Sequence, residues 1–354
     1  MKRQICVFLS LCLLFCVFSA CGQTQTEQKE TVSFFDSAGR TVDVPAQITK
    51  IAPSGGVAQM ILLTLAPERM VGLASSPDDA QLPYFPPEIA ELPAFGQFYG
   101  SKANINMEAL IAAQPQIIID LGDFKNGIAD DMDAVQNQTG IPTVFIDASL
   151  ENLPTAYRML GELLNTKDRA EELASYIEET LDYAAQKSAQ ILPEDRKTVM
   201  YGTGASGLAC NPKGSSQADV IELVGGRNVI ETDSGSHRYG GAEVNLEQVY
   251  AIDPDVILLS ADGPYDELQN SEWSELFAVR YGTCYEVPAL PYSWMSMPPS
   301  VNRVIGIWWL GNLLYPDVFD YDMTQKVQEF YKLFWNYELT DAEVSQLLSR
   351  STLK

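Results

Sequence analysis

Histidine is almost missing from this chain of 354 residues, which holds only His237. That excludes the multi-histidine sites by which proteins usually hold bare zinc or manganese. No His-Glu-x-x-His, no Gly-x-x-x-x-Gly-Lys and no Gly-x-Ser-x-Gly occurs, so zinc protease, P-loop and α/β-hydrolase chemistry lack their carriers. Basic residues are scarce as well: 23 stand against 47 acids, a formal net charge of -24. A surface of that sign repels phosphate backbones and excludes nucleic acid as a partner, while self-repulsion favours solubility. Cysteine is scarce beyond the N-terminus. Of six, four fall within the first 21 residues, leaving Cys210 and Cys284 as either a disulfide or two buried thiols. No Cys-x-x-Cys spacing exists, which excludes a structural zinc site.

What is present begins with a leader. MKR supplies positive charge, QICVFLSLCLLFCVFSA follows without charge, and Cys21 comes directly after Ser19-Ala20. This is the plan of a signal peptide over 1–20. The small pair before cysteine resembles the bacterial lipobox, in which that cysteine is lipidated and becomes the mature N-terminus; Phe18 stands where leucine is commoner. An uncleaved membrane anchor is the alternative, since the apolar run is near the lower limit for a span. Polar residues 22–31 read as a flexible tether, so 21–45 comprises lipidated cysteine, tether and an entry hairpin with strands at 32–36 and 41–45.

From there strands and helices alternate. Strands are expected at 50–53, 71–75, 117–121 and 143–147, with helices at 57–65, 107–113 and 128–139. The strands are mostly apolar, as in a parallel sheet covered on both faces, although 117–121 carries Asp120. This is an N-terminal lobe over 46–152. A linking helical segment follows over 153–192, with Leu173, Ile177, Leu181 and Ala184 on one stripe and Thr166 as its cap. A C-terminal lobe over 193–354 repeats the alternation, with strands at 197–201, 256–261 and 284–287. Its helices are expected at 217–223, 246–251 and 274–279, and it closes on helices at 301–314, 323–336 and after Thr340 that cover this lobe. The expected fold is α/β: two Rossmann-like lobes with parallel sheets, joined by one long interdomain helix.

The strongest sign of two similar lobes is a repeated phrase. NMEALIAAQPQIII at 106–119 aligns without a gap with NLEQVYAIDPDVIL at 245–258, five of fourteen positions being identical. A Gly-x-Gly-x-x-Gly spacing at Gly202, Gly204 and Gly207 follows a strand, but no helix signal follows it, so it reads as a glycine loop and not as a dinucleotide site.

In open parallel sheets, ligands bind at the strand carboxyl ends. Loops expected there are aromatic. The first lobe offers Ser54, Phe95, Phe98 and Tyr99. The second offers Tyr201 at a strand end, His237, Arg238 and Tyr239 in SHRYGG, and Tyr292, Trp294, Met295 and Met297 in PYSWMSMPPS. Such a rim suits a bulky chelate through dispersion and cation–π contacts, and Arg238 and Arg303 are candidates to pair with its acidic groups. The methionines beside Trp294 fit haem or corrinoid packing better than iron.

DSAGRTVDVP, KIAPSGG, NMEALIAAQPQIII, GIPTVFID, DVIELVGGRNVI and VNLEQVYAIDPDVILLS together resemble the substrate-binding proteins of ABC importers for iron–siderophore, haem and cobalamin, over roughly residues 33–320. The resemblance implies two lobes joined by a long helix, no catalysis and no resident cofactor. It implies a lipid anchor on the extracytoplasmic face of a bacterial membrane, a permease with its ATPase as partners, and a small-molecule metal chelate as cargo; a monomer is expected. It also implies that Glu108 and Glu247, one per lobe, dock on permease arginines. Some relatives complete the iron shell with His and Tyr, a role that would fall to His237 with Tyr239 or Tyr292. An iron(III) chelate of siderophore type is the leading cargo, with haem or a corrinoid as alternatives. A lipid-anchored metal-cofactor enzyme or a sensor is the reading of another class.

Overall fold

The protein, seen in a computed structural model, is described over residues 30–100, 103–231 and 242–352. An antiparallel hairpin, β1 (Thr31–Phe35) and β2 (Thr41–Pro45), opens the chain. β3 (Ile51–Pro53) leads into α1 (Gly56–Leu65), and α2 (Met107–Ala113) into β4 (Ile117–Gly122). α3 (Ile128–Thr139) then precedes β5 (Thr143–Asp147). These three strands form a parallel sheet in the order β3-β4-β5. The expected strand at 71–75 is reduced to isolated bridges. The Gln59 side chain explains this: its oxygen accepts the Ala74 and Ser75 amides at 2.6 and 3.0 Å, taking donors that a ladder would need.

The linking segment is a pair of helices, α4 (Leu153–Leu164) and α5 (Lys167–Ser188), hinged at Asn165 with φ 55°. At 22 residues, α5 runs roughly 33 Å. Gly161 permits the close approach, because a Cβ there would lie 2.6 Å from that of Ala170. Leu173, Ile177 and Ala184 are buried as the stripe predicts. Thr166 occupies the cap position, yet its hydroxyl makes no cap bond.

The second sheet is built around β6 (Thr198–Thr203). β7 (Ala209–Cys210) turns back antiparallel to it, α6 (Asp219–Leu223) follows, and β8 (Arg227–Asn228) joins β6 in parallel. β9 (Ala242–Glu243), α7 (Leu246–Ile252) and β10 (Val256–Leu259) come next, then α8 (Phe277–Tyr281) and β11 (Cys284–Glu286). The order is β11-β10-β6-β7-β9, so a parallel core carries an antiparallel edge. The glycine triplet is the turn of the β6–β7 hairpin: Gly204 and Gly207 have φ of 73° and 67°, and a Cβ on Gly202 would strike the Gly207 carbonyl. No dinucleotide-binding turn is formed.

The repeated phrase has a structural cause. Asn106 and Asn245 cap α2 and α7 through their side chains, and Gln114 and Asp253 end those helices in the left-handed conformation. Ile118 and Ile257 are fully buried in the strands that follow. Even the eleventh position does one job twice: Gln116 accepts the Lys50 amide at the start of β3, and Asp255 the Thr198 amide at the start of β6.

The chain closes with α9 (Asn302–Leu314), buried on nearly every side, then α10 (Met323–Phe330), a π-helical turn at Tyr331–Trp335, and α11 (Asp341–Leu347). These last elements do not cover the second lobe alone. Tyr331 and Trp335 pack on Tyr84 and Phe85 of the first lobe with ring centroids 5.6 Å apart in each pair, and Arg169 of α5 donates to the Leu333 carbonyl. One apolar core therefore runs continuously through both sheets and the linking helices.

Cys210 and Cys284 are buried and unbridged, which settles the open choice for thiols; burial pushes both up to about 12. A body beginning at residue 30 should show no thiol reactive toward an aromatic disulfide at pH 8, and two after denaturation. Reaction of either thiol in the native state would contradict the packing described. Among the described residues, no helix is long and apolar enough to cross a membrane. Cys21 lies outside them.

Candidate functional site

The site grows from the carboxyl ends of β3, β4 and β5. After β3 the chain turns through Ser54-Gly55 into α1, and Asp120 stands near the end of β4. Ser54 donates its hydroxyl to Asp120 Oδ1, and the Tyr99 hydroxyl donates to Oδ2 at 2.6 Å. Asp120 is only 3% exposed, and burial raises its pKa against the opposing effect of both hydroxyls and Lys125. Lys125 sits 4.3 Å from the Tyr99 ring centroid and 2.8 Å from Asp131. Together with Gly122, Asp123 and, from the other lobe, Gln217, Pro298 and Pro299, these groups enclose about 690 Å³.

A second chamber of about 990 Å³ shares Asp123 with the first. Its walls are the end of β5, the outer faces of α4 and α5, and residues 213–223 of the second lobe. Asp147 is held in place there by the Ser149 amide at 3.0 Å and the Asn152 side chain at 2.9 Å. On the opposite wall lie Ser215, Ser216, Asp219 and Glu222. Both serine hydroxyls are buried and find no protein partner. The two chambers form a cleft between the lobes of a size typical for small-molecule sites. Another cavity, about 540 Å³ under Tyr84, Arg169 and Trp335, lies at the far end of α1, away from the strand carboxyl ends.

Of the residues expected here, Ser54 and Tyr99 line the cleft. Phe98 does not: it is 4% exposed and packs on Phe95. Tyr201 is buried in β6, its hydroxyl 2.9 Å from that of Ser296. Trp294 and Met295 are core residues as well. The loop that carries them lies directly on α9 at Gly306, where a Cβ would clash with the Trp294 carbonyl, and the indole donates to the Tyr331 hydroxyl at 3.3 Å. Tyr292 belongs to the seam between lobes; its hydroxyl accepts from Gln59 at 3.2 Å, and burial pushes the phenol up to about 12.

Arg303 is fully buried beneath the second-lobe wall, 2.5 Å from Asp219 and 3.0 Å from the Ser216 carbonyl, so it is not available to a cargo's acidic groups. Burial raises Asp219 to about 6, with Arg303 opposing. His237, Arg238 and Tyr239 lie outside the described residues. Glu108 and Glu247 are exposed in the first turns of α2 and α7. The residues missed by sequence reasoning are Asp120, Asp123, Lys125, Gln217 and the Pro298-Pro299 pair. Asp120 had a visible signal, a lone carboxylate in an otherwise apolar strand. Among the described residues, no group of three or more His, Cys, Asp or Glu is placed to hold a bare metal ion.

The periplasmic binding protein family matches this chain over residues 54–290. The chain belongs to that family. A solute-binding protein of an ABC transporter from Sulfurospirillum deleyianum superposes with a TM-score of 0.82 at 27% identity, covering 90% of this chain and 99% of that one. A periplasmic solute-binding protein from Veillonella parvula gives 0.75 at 26% identity, covering 91% and 98%. In sequence, the high-affinity heme uptake system protein IsdE of Staphylococcus aureus is 24% identical over 228 residues, which is 62% of this chain and 74% of the relative. This periplasmic binding protein is the substrate-binding component of an ABC importer and not an enzyme.

Proposed function

We propose that this binding protein captures an iron(III) chelate of siderophore type in the cleft between its lobes and delivers it to a membrane permease driven by an ATPase. The supporting observation is the cleft itself: two adjoining chambers at strand carboxyl ends, of about 690 and 990 Å³, with walls from both lobes. That space suits a whole chelate better than a bare ion. Haem is the second reading, favoured by the 24% identity to IsdE. In this proposal the working division is 46–152 and 193–354 for the lobes, with 153–192 linking them. Cys21 carries a lipid anchor, residues 22–31 tether a monomeric body to the outer face of the membrane, and Glu108 and Glu247 meet the permease. A diacylglyceryl anchor, with two chains in the bilayer, needs no membrane-spanning helix.

Gly122 offers the test. It lines the smaller chamber, and a Cβ there meets no described atom within 4 Å. Gly122→Leu should therefore fill the chamber without disturbing the fold. Calorimetric titration of the body with ferric chelates, haem and free metal ions should give one saturable site for a chelate. The Gly122→Leu variant should weaken it by about tenfold or more, with an unchanged melting temperature. Saturable binding of free ions alone would defeat this reading.

A further inference from the structure

Charge in the cleft carries an inference about the class of chelate, and it rests on the function just proposed. Two carboxylates and Lys125 face the smaller chamber. Seven carboxylates, one of them Asp123 again, face the larger chamber beside Arg158 and Lys213. Eight acids thus stand against three bases, and two of those bases are already committed: Lys125 to Asp131 at 2.8 Å, Arg158 to Glu171 and Glu178 at 2.9 and 2.7 Å. Setting aside Asp219 and Glu178, which Arg303 and Arg158 pair, and Asp120 and Glu222, whose burial favours the protonated form, leaves the balance acidic. The internal stretches outside the described residues, 101–102 and 232–241, hold Lys102, Arg238 and Asp233. One net positive charge cannot reverse the sign.

A second observation points to a polar ligand at this wall. Ser215 and Ser216 are 3% and 7% exposed, line the larger chamber, and their hydroxyls have no protein partner. Turned toward the chamber by a side-chain rotation, each can accept a hydrogen bond from an ammonium or amide of a bound molecule or donate one to an oxygen. A cleft with low-dielectric walls concentrates the field of its carboxylates, so it attracts cations and costs a polyanion dearly. We propose that the cleft selects a metal chelate of net positive charge, such as a ferric trihydroxamate bearing a free ammonium. It rejects anionic chelates, ferric tricatecholates and the dicarboxylate haem among them.

The test varies charge at constant metal geometry. The body would be titrated calorimetrically with one ferric trihydroxamate in three forms: free amine, N-acetylated and N-succinylated. A ferric tricatecholate and haem would be titrated alongside. The amine form should bind about tenfold more tightly than the acetylated form, and the succinylated form should be weaker again. The gaps should narrow as salt is raised. Glu151→Gln with Asp182→Asn, two lining acids that make no ion pair among the described residues, should shrink the amine preference severalfold. Equal affinities, or preference for the succinylated form, would overturn the proposal. Binding of haem or the tricatecholate with none of the trihydroxamates would overturn it too, while leaving chelate capture standing. Binding of no chelate at all would remove both readings.

Discussion

Arg303→Met should lower the free energy of unfolding by about 1–3 kcal/mol, the loss expected when a fully buried guanidinium leaves a half-buried carboxylate and two carbonyls without their donor. The guanidinium is fully buried and holds Asp219 at 2.5 Å, the Ser216 carbonyl at 3.0 Å and the Ser300 carbonyl at 3.3 Å. Without it, Asp219 stays half-buried in the wall, uncompensated wherever it is ionised. The double variant Arg303→Met with Asp219→Asn should recover much of the loss, because the stranded carboxylate is then gone. The pH dependence has a definite sign. Asp219 is raised to about 6 in the fold, above its ordinary value, so the native state holds a proton that the unfolded chain has released. Stability from this group therefore falls as pH rises toward and through about 6. In Arg303→Met the lowering influence is absent, so the fall should be steeper and extend to higher pH. Urea midpoints at pH 5 and pH 8 would measure both effects. A loss below about 1 kcal/mol, with no pH dependence, would mean that the pair is solvated and not structural.

Reversing both exposed acids, Glu108→Lys with Glu247→Lys, should abolish uptake in a cell carrying the cognate permease while changing chelate affinity less than about twofold. The repeat motivates this. Most of its shared positions answer to the fold: Asn106 and Asn245 cap helices, and Ile118 and Ile257 fill strands. Glu108 and Glu247 are the shared charged pair that packing does not require. Near a helix start each gains only about 0.3–1 kcal/mol from the helix dipole, so a Glu→Gln pair separates lost charge from lost stability. Two carboxylates, one on each lobe, would give a permease a measure of their spacing, which is register more than affinity. Normal uptake by the doubly reversed protein would end the docking proposal.

Much of the fold was legible because local rules agree with the global one. α2, α3 and β5 fall at the residues predicted from apolar period and turn signals. The Gly202–Gly207 triplet was recognisable as a loop because no helix signal follows it, and it forms a hairpin turn. Less of the site was legible. Clustered aromatics beside proline and serine suggested a binding rim, yet Trp294, Met295 and Phe98 pack inward. Whether a loop aromatic faces solvent depends on partners distant in sequence, here Tyr331 and Trp309 for Trp294. Likewise, the amphipathic pattern after residue 320 could not say which apolar surface those helices cover, and they span both lobes through Tyr84 and Phe85.

By itself, the sequence determined the alternation of strands and helices, the duplicated unit, the long linking helix and the acidic character of the body. Each of these is written in nearest neighbours along the chain: period, caps, turns and composition. Tertiary structure alone decided that Arg303 is an internal ion-pair partner, that Asp120 is held by Ser54 and Tyr99, and that carboxylates from β5, α5 and α6 share one cleft. The reason is distance along the chain. Those groups come from segments tens of residues apart, and only the closing of two sheets around common helices brings their charges to bear on the same volume.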